Sequence, residues 1–254
     1  MRIRTRIAAA VGVFAAASAT GIAVAALAAP ASDRTAPEPG VVLAHGSDHL
    51  PSVTAADWVT YADHVIVVEA VAEQAIEPSA EELERGEGII GRTVTLAVED
   101  VLWSRDGAPQ AAPASWEFSA AGWTFTEGDL EGAREMALAD FPRVEVGHQY
   151  VMAIRWEPAV CTEGGDSLPA QWRGLGEGSE IPFDEGTLGN GESEGTVQDA
   201  RAFAADVDVH LDDGVEELLV GQGADALVAA LANAKPDTAA QAEAQTLAAV
   251  NSCD

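Results

Sequence analysis

Ser193 lies in a pentapeptide that matches a serine-hydrolase motif. Residues 191–195 read Gly-Glu-Ser-Glu-Gly, the G-x-S-x-G pattern of a nucleophile elbow, in which a strand-to-helix turn exposes the serine beside backbone donors. The preceding residues 183–190 have no strand character. The one histidine that follows, His210, has acidic neighbours too close in sequence to form an independent triad. We therefore predict that Ser193 is not a nucleophile.

A second esterase-like pattern occurs at residues 165–168, which spell G-D-S-L. In one group of serine esterases that block is expected near the mature amino terminus, with an Asp-x-x-His motif near the carboxyl terminus. Here the block lies in mid-chain, and no aspartate stands three residues before His210. We predict no catalytic residue from either pattern.

Alternating aspartates between residues 206 and 213 suggest a calcium loop. An EF-hand loop has Gly at its sixth place and Glu at its twelfth, and neither register of this segment has both. We expect Asp212 or Asp213 to cap a helix instead. His45 and His49 have a spacing that could bind zinc on a helix, but the sequence offers no third ligand. The sequence thus predicts no metal site and no cofactor.

The segment 161–195 is the main source of candidate ligand contacts. It is long and rich in glycine and acidic residues, and loops of this kind are functional or disordered. Its acids could surround a hard cation or supply the carboxyl pair of a glycosidase, although solvated loop acids are the simpler interpretation. These acids are Glu177, Glu180, Asp184, Glu185, Glu192 and Glu194. Trp172 either contacts a ligand or packs in the open end of a barrel. The possible ligand contacts are Trp172, Asp184, Glu192 and Ser193.

The composition disfavours several classes of partner. The chain has 42 acidic and 13 basic side chains, a formal net charge of −29. Nucleic acids and anionic lipid surfaces bind through a basic footprint, which this chain lacks. Solubility and cation binding are the two explanations of the acidity. We expect a monomer whose partner is an unknown extracellular protein or a small ligand.

The amino-terminal residues predict export. Three arginines among the first six residues precede an apolar run from 7 to 29, which is typical of a signal peptide. Cleavage between about Ala28 and Ser32 would give a secreted, extracellular protein. The alternative is an uncleaved membrane anchor, because such a run could span a hydrocarbon core about 30 Å thick. Peripheral membrane association is expected only in that case.

The two cysteines, Cys161 and Cys253, are predicted to form a disulfide bond, because export places them where disulfides persist. In the chain-entropy model this bond contributes about 4–5 kcal/mol to stability, since the loop that it closes is long. The alternative is two free or intermolecular thiols.

Hydrophobic patterning predicts a β-rich domain. Segments near residues 65–71, 91–103, 115–125 and 148–156 have the alternation or the β-branched composition of strands. Because no helix is predicted between each pair, we expect a small antiparallel β-barrel or OB-like sheet rather than a parallel sheet. Amphipathic segments follow. The fold class is therefore mainly β with C-terminal helices, α+β.

We expect four parts along the chain. Residues 1–31 form the signal peptide and residues 32–54 a disordered linker. Residues 55–195 form the β-barrel-like domain, and residues 196–254 form a helical segment packed on it.

The chain resembles a group of exported actinobacterial proteins of uncharacterised function in the phrases YADHVIVVEAVAEQ, GEGIIGRTVTLAVEDVLWSRDGA, VEVGHQYVMAI and GTLGNGESEG. This resemblance covers roughly residues 57–235 and implies a compartment. The early strands are also similar to OB-like barrels of the netrin and metalloproteinase-inhibitor type. Those domains use several disulfides and an amino-terminal cysteine for inhibition, which this chain lacks, so the resemblance implies no inhibitory function.

These observations favour a non-catalytic extracellular binding or interaction module, because no side chain falls in a recognisable catalytic frame. One alternative is a secreted hydrolase with its site in the 161–195 loop. Another is a calcium-dependent surface protein.

Overall fold

The computed structural model describes residues 40–46, 48–161, 167–206 and 214–250. The strands are β1 (Val42–Ala44), β2 (His64–Ile76), β3 (Gly88–Ser104), β4 (Ser115–Phe125), β5 (Arg134–Leu138), β6 (Gln149–Glu157), β7 (Val160–Cys161), β8 (Ser167–Leu168), β9 (Gln171–Gly174), β10 (Glu180–Pro182), β11 (Gly191–Ser193) and β12 (Thr196–Gln198). The helices are α1 (Ala55–Tyr61), α2 (Ala80–Arg85), α3 (Ala200–Asp206), α4 (Val215–Leu219), α5 (Ala224–Asn233) and α6 (Thr238–Val250). The fold is thus mainly β with C-terminal helices, which confirms the predicted α+β class.

The main sheet has the strand order β1-β5-β4-β3-β2-β6-β10, and β9 also pairs with β6. All of these pairs are antiparallel except β1 with β5, which is parallel. Two smaller pairs lie outside this sheet, β7 with β8 and β11 with β12. The predicted strand at residues 115–125 coincides with β4.

The sheet is open, so the predicted barrel is wrong. A barrel needs a continuous hydrogen-bonded ladder around its whole circumference. The terminal strands β1 and β10 have three residues each, and they do not pair with each other. Alternation along a strand reveals which face is buried, but it does not reveal whether the two edges meet.

The central strand β2 packs against apolar residues on both of its faces. Val65 and Val67 contribute to a core with helices α1 and α5, through residues such as Trp58 and Leu227. Ile66 and Val68 belong to the core on the opposite face of the sheet. This two-sided burial explains the uninterrupted β-branched run in the sequence. Beyond Ala70 the strand changes character, and residues 71–76 are all exposed.

Part of the predicted disordered linker belongs to the fold. Val42–Ala44 pairs with β5, and Thr54 caps α1. The Oγ1 of Thr54 accepts a hydrogen bond from the Asp57 backbone N–H at 3.1 Å, and Asp57 Oδ2 accepts one from the Thr54 backbone N–H at 2.9 Å. A three-residue edge strand is too short to show periodicity in the sequence, so these two contacts could not be predicted from it.

Candidate ligand-binding site

Residues 180–198 are held to the edge of the sheet by backbone hydrogen bonds. We call this stretch the edge segment. Strand β10 pairs with β6, Phe183 N–H donates to the Gln149 carbonyl at 2.8 Å, and Glu194 N–H donates to the Phe141 carbonyl at 3.0 Å. Phe183 and Leu188 are buried in the core. The glycine- and acid-rich sequence therefore has a defined conformation over this stretch.

Ser193 lies in a β-hairpin. It pairs with Thr196 across a two-residue loop, in which Glu194 and Gly195 have φ angles of 53° and 79°. Two consecutive positive φ angles define a type I′ hairpin turn. Ser193 is 6% exposed, and the next helix begins only at Ala200. The G-x-S-x-G letters thus describe a hairpin, in which no elbow presents the hydroxyl.

Glu192 is buried and accepts four hydrogen bonds. Its Oε1 accepts from the backbone N–H of Gly195 at 2.6 Å and of Arg143 at 3.0 Å. Its Oε2 accepts from the backbone N–H of Val144 at 3.0 Å and from the Tyr150 hydroxyl at 2.8 Å. Burial, followed by the neighbouring Glu192 charge, raises the pKa of Tyr150, which therefore remains a donor. Glu192 anchors the hairpin, which is a structural role.

The backbone is strained at Val144, a residue that donates a hydrogen bond to Glu192. Val144 is buried and has a φ of 59°, a conformation that β-branched residues rarely adopt. Its N–H is one of the four donors to Glu192. Such a conformation costs about 1–3 kcal/mol and persists only where surrounding contacts determine it.

Two buried arginines, Arg92 and Arg143, belong to the same polar core. Arg92 pairs with Glu73 at 2.5 Å, and Arg143 forms an ion pair with Glu145. The guanidinium carbons of Arg92 and Arg143 lie 5.9 and 5.2 Å from the ring centre of Trp123. Burial, followed by repulsion from Arg92, lowers the pKa of Arg143. These contacts hold Arg143 in place, and the backbone N–H of Arg143 is one of the donors to Glu192 in the edge segment.

Asp184 organises the outer part of the edge segment. Its Oδ1 accepts from the Gln149 backbone N–H at 2.8 Å, and its Oδ2 lies 2.5 Å from His148 Nδ1. Its own backbone N–H donates to the Asn190 carbonyl at 2.7 Å. Gly191 has a φ of 127°, and a Cβ there would lie 2.9 Å from the Asp184 carboxyl carbon. Only glycine therefore allows this close approach.

A pocket of about 430 Å³ opens beside Asp184 where β2, β6 and the edge segment meet. Its walls carry three carboxylates, three carboxamides, two glycines and one valine. The lining residues are Glu69, Gly147, Gln149, Asp184, Glu185, Asn190, Gly191, Val197 and Gln198. We call it the acidic pocket. A second depression of about 510 Å³, lined by more apolar residues, shares Asn190 with it.

Among the residues that the structure describes, two carboxylates of the acidic pocket have no compensating partner. Both oxygens of Asp184 accept hydrogen bonds. Glu69 and Glu185 have neither a hydrogen bond from their side chains nor an ion pair within the described ranges. Glu69 is half-buried and Glu185 is exposed. The pocket therefore carries negative charge that the protein itself does not neutralise.

Trp172 lies far from the acidic pocket. It faces Trp156 across the β9–β6 pair, with ring centres 5.3 Å apart, and its ring centre is 5.4 Å from that of His64. Trp156 and Gln149 stand at opposite ends of β6, about 23 Å apart at roughly 3.3 Å per residue. The structure thus groups Asp184, Glu192 and Ser193, but Trp172 packs on the sheet elsewhere.

Glu180 is a second buried acid of the edge segment, and no hydrogen bond or ion pair to its side chain is found in the described part of the chain. A Cβ on Gly174 would lie 2.6 Å from its Oε1, so the carboxyl group is tightly enclosed. Burial, followed by the nearby Asp48 charge, raises the pKa of Glu180 to about 8. The group is therefore mostly protonated at neutral pH.

Several predictions concern residues outside the described ranges. Cys161 ends β7, but Cys253 lies outside, so the disulfide stays a prediction. His210, Asp208, Asp212 and Asp213 lie outside as well, as does part of the G-D-S-L block. Within the described ranges, no group of three or more His, Cys, Asp or Glu side chains could hold a metal ion. No helix in those ranges is long and apolar enough to cross a membrane.

The sequence analysis missed most of the acidic pocket. Glu69, Gln149 and Gln198 line it, and His148 supports Asp184, but none of them belongs to a motif. One signal was present: Gly147 and His148 immediately precede a strand, where a turn must place polar groups at the sheet edge. The pairing of Glu69 with Gln149 depends on strand register, which one sequence does not specify.

No model of a known protein family matches the chain, and neither a curated protein nor a solved structure shows significant similarity to it. The resemblances stated above therefore stay predictions.

Proposed function

We propose that this chain is an exported, non-catalytic binding protein that takes a small, polar, positively charged group of its ligand into the acidic pocket. The observation that carries the proposal is the pair of uncompensated carboxylates, Glu69 and Glu185, beside the hydrogen-bonded Asp184. An ammonium group between them would gain charge-assisted hydrogen bonds. Secretion, a monomeric state and the Cys161–Cys253 bond belong to the same proposal.

The shape and chemistry of the pocket support a small ligand. Its volume of about 430 Å³ lies within the range of small-molecule sites. The carboxamides of Gln149, Asn190 and Gln198 offer both donors and acceptors, which suits hydroxyl or amide groups on the same ligand. Val197 is the one apolar side chain in the wall.

Isothermal titration calorimetry with 1,5-diaminopentane, sorbitol and glutarate tests this proposal. We expect binding of the diamine alone, weakened by salt because the partners are charged. The Glu69→Gln/Glu185→Gln variant should bind the diamine about tenfold more weakly, equivalent to about 1.4 kcal/mol.

The matched control is Glu117→Gln/Glu131→Gln, which changes the net charge equally at exposed positions outside the pocket lining. It should bind like the unmodified protein. Equal weakening by the two double variants would show that only the overall charge matters and would contradict the pocket proposal.

A secreted hydrolase is the second candidate, and the His148–Asp184 contact favours it, since a carboxylate that orients a histidine is the arrangement of a general base. An ester and glycoside substrate screen tests this candidate. If the protein turns over a substrate and His148→Ala abolishes the turnover, the protein is a hydrolase and the binding proposal is wrong. If Ser193→Ala abolishes the turnover, Ser193 is the nucleophile. A calcium-dependent surface protein is the third candidate, and a melting temperature unchanged by millimolar calcium would eliminate it.

A further inference from the structure

The edge of β2 is open along residues 71–76. Up to Ala70 this edge is occupied: Ala70 N–H donates to the His148 carbonyl at 3.0 Å, and Gly147 N–H donates to the Ala70 carbonyl at 2.8 Å. At Gly147, where φ is 93°, the chain before β6 leaves the sheet. Within the described residues, β2 then pairs only with β3, from Ala72 to Ile76.

This open edge is accessible and long enough to accept another strand. Residues 71–77 are all exposed, and the side chains of Val71 and Ile76 are 47% and 48% exposed. Six residues extend about 20 Å at roughly 3.3 Å per residue. Unpaired edge groups of this kind are a template for an added strand.

The open edge ends at the acidic pocket. Glu69 and Gly147 line the pocket and also mark the point where β6 separates from β2. An extended chain paired with residues 71–76 would continue the line of β6 and bring one of its ends to the pocket. The edge and the pocket are therefore two parts of one surface.

The negative charge of this surface determines which kind of partner it can bind. Glu69 lies at one end of the open edge and Glu77 beyond the other end, whereas Glu73 within the edge is paired with Arg92. The whole chain carries a net charge of −29. Two copies paired through this edge would bring these carboxylates together, which is unfavourable. A basic partner would be attracted to the same groups.

We propose that the ligand is an extended basic peptide segment, which adds as a strand to residues 71–76 of β2 and inserts an ammonium group into the acidic pocket. This inference rests on the proposed function and names the class of ligand. The main-chain hydrogen bonds supply affinity, and the pocket supplies selectivity for the charged residue.

Fluorescence anisotropy with the full chain tests the inference. The probe is the peptide Lys-Val-Thr-Val-Thr-Val with a fluorophore at its carboxyl end. Two modified peptides separate the contributions: one is N-methylated at alternate residues and cannot pair as a strand, and the other has norleucine for lysine and an acetylated amino end. Each should bind about tenfold more weakly or worse than the parent. Hydrogen exchange at residues 71–76 should slow when the parent peptide binds.

The protein variants Val71→Lys and Ile89→Lys form a matched pair. Both replace a half-exposed apolar residue, 47% and 48% exposed, but Ile89 lies on β3, where it is paired with β4. Val71→Lys should weaken peptide binding, because a lysine on an edge strand opposes pairing and repels a basic peptide. Ile89→Lys should have a much smaller effect.

Three results would overturn the inference. If the N-methylated peptide binds as tightly as the parent while 1,5-diaminopentane still binds the pocket, the edge is not used and the pocket proposal stands. If neither the peptide nor the diamine binds, both proposals fail. If sedimentation shows a dimer that Val71→Lys dissociates, the edge is occupied by a second copy of the chain.

Discussion

Two buried carboxyl groups, Glu192 and Glu180, differ in their surroundings. Glu192 accepts hydrogen bonds from four donors, whereas Glu180 has none within the described residues and is held against Gly174. Hydrogen bonds to an ionised carboxylate stabilise its charge, whereas burial without them favours the neutral acid. The same residue type therefore anchors the hairpin in one place and holds a proton in another.

Replacing Glu192 is expected to be far more damaging than replacing its neighbour. Glu192→Ala leaves three buried donors and one part-buried donor unsatisfied and should lower the free energy of unfolding by about 3–5 kcal/mol. Ser193→Ala, in the same strand, should lower it by less than about 1 kcal/mol, since it removes one small hydroxyl group. Urea denaturation of both variants checks this difference, and equal losses would contradict the anchoring role.

Glu180 should make stability depend on pH. Its pKa is about 8 in the folded protein, against 4.5 for the ordinary side chain. Between these values the folded protein binds a proton that the unfolded chain releases, so the free energy of unfolding falls as pH rises through this range. At about 1.4 kcal/mol per pH unit, the loss over the whole range is on the order of 4 kcal/mol.

Comparison of Glu180→Gln with the unmodified protein isolates this group. The variant keeps the shape of the side chain but does not titrate, so it should lose about 3 kcal/mol less stability between pH 5 and pH 8. Chemical denaturation at several pH values measures both curves. Parallel curves would show that Glu180 does not hold this proton.

At the scale of elements, the hairpin β11–β12 depends on its glycine. Gly195 has a φ of 79°, and a Cβ there would lie 2.7 Å from Val41 Cγ2. Gly107 has a similar φ of 75° with no atom within 4 Å of its Cβ position. Substitutions at these two glycines therefore distinguish the cost of backbone strain, which both share, from the cost of steric contact, which only Gly195 has.

We expect Gly107→Ala to lower the free energy of unfolding by about 1 kcal/mol, through the left-handed conformation alone. Gly195→Ala should lower it by about 1–3 kcal/mol more, because Val41 must also move. Thermal unfolding of the two variants measures the difference. Identical melting temperatures would mean that Val41 adapts without cost.

Elements with strong hydrophobic periodicity could be predicted from the sequence, but the pairing and packing of these elements could not. The β-branched run of β2 and the alternation in β3 identify central strands. The type I′ turn at Glu194 and Gly195 was not predicted, because Gly191 and Gly195 are the two glycines of the pattern that matches a hydrolase motif. The acidic pocket needs the register of Glu69 against Gln149, which is a tertiary property.

At the scale of the whole molecule, the edge of β2 is exposed along residues 71–76 because β6 separates from β2 at Gly147. The predicted Cys161–Cys253 bond would join the end of β7 to the carboxyl terminus. We expect the double variant Cys161→Ser/Cys253→Ser to unfold with a free energy about 4–5 kcal/mol lower. Peptide mass spectrometry without reductant should find the linked peptides. Two titratable thiols per chain in the unreduced protein would contradict the bond.

Nuclear magnetic resonance can show directly whether the acidic pocket binds a cationic ligand. During titration with 1,5-diaminopentane, we expect saturable shifts of the backbone amides of Gly147, Gln149, Gly191 and Gln198, which line the pocket. The amides around Trp172 should not shift. Shifts that are absent, that do not saturate, or that concentrate outside the pocket would contradict the claim.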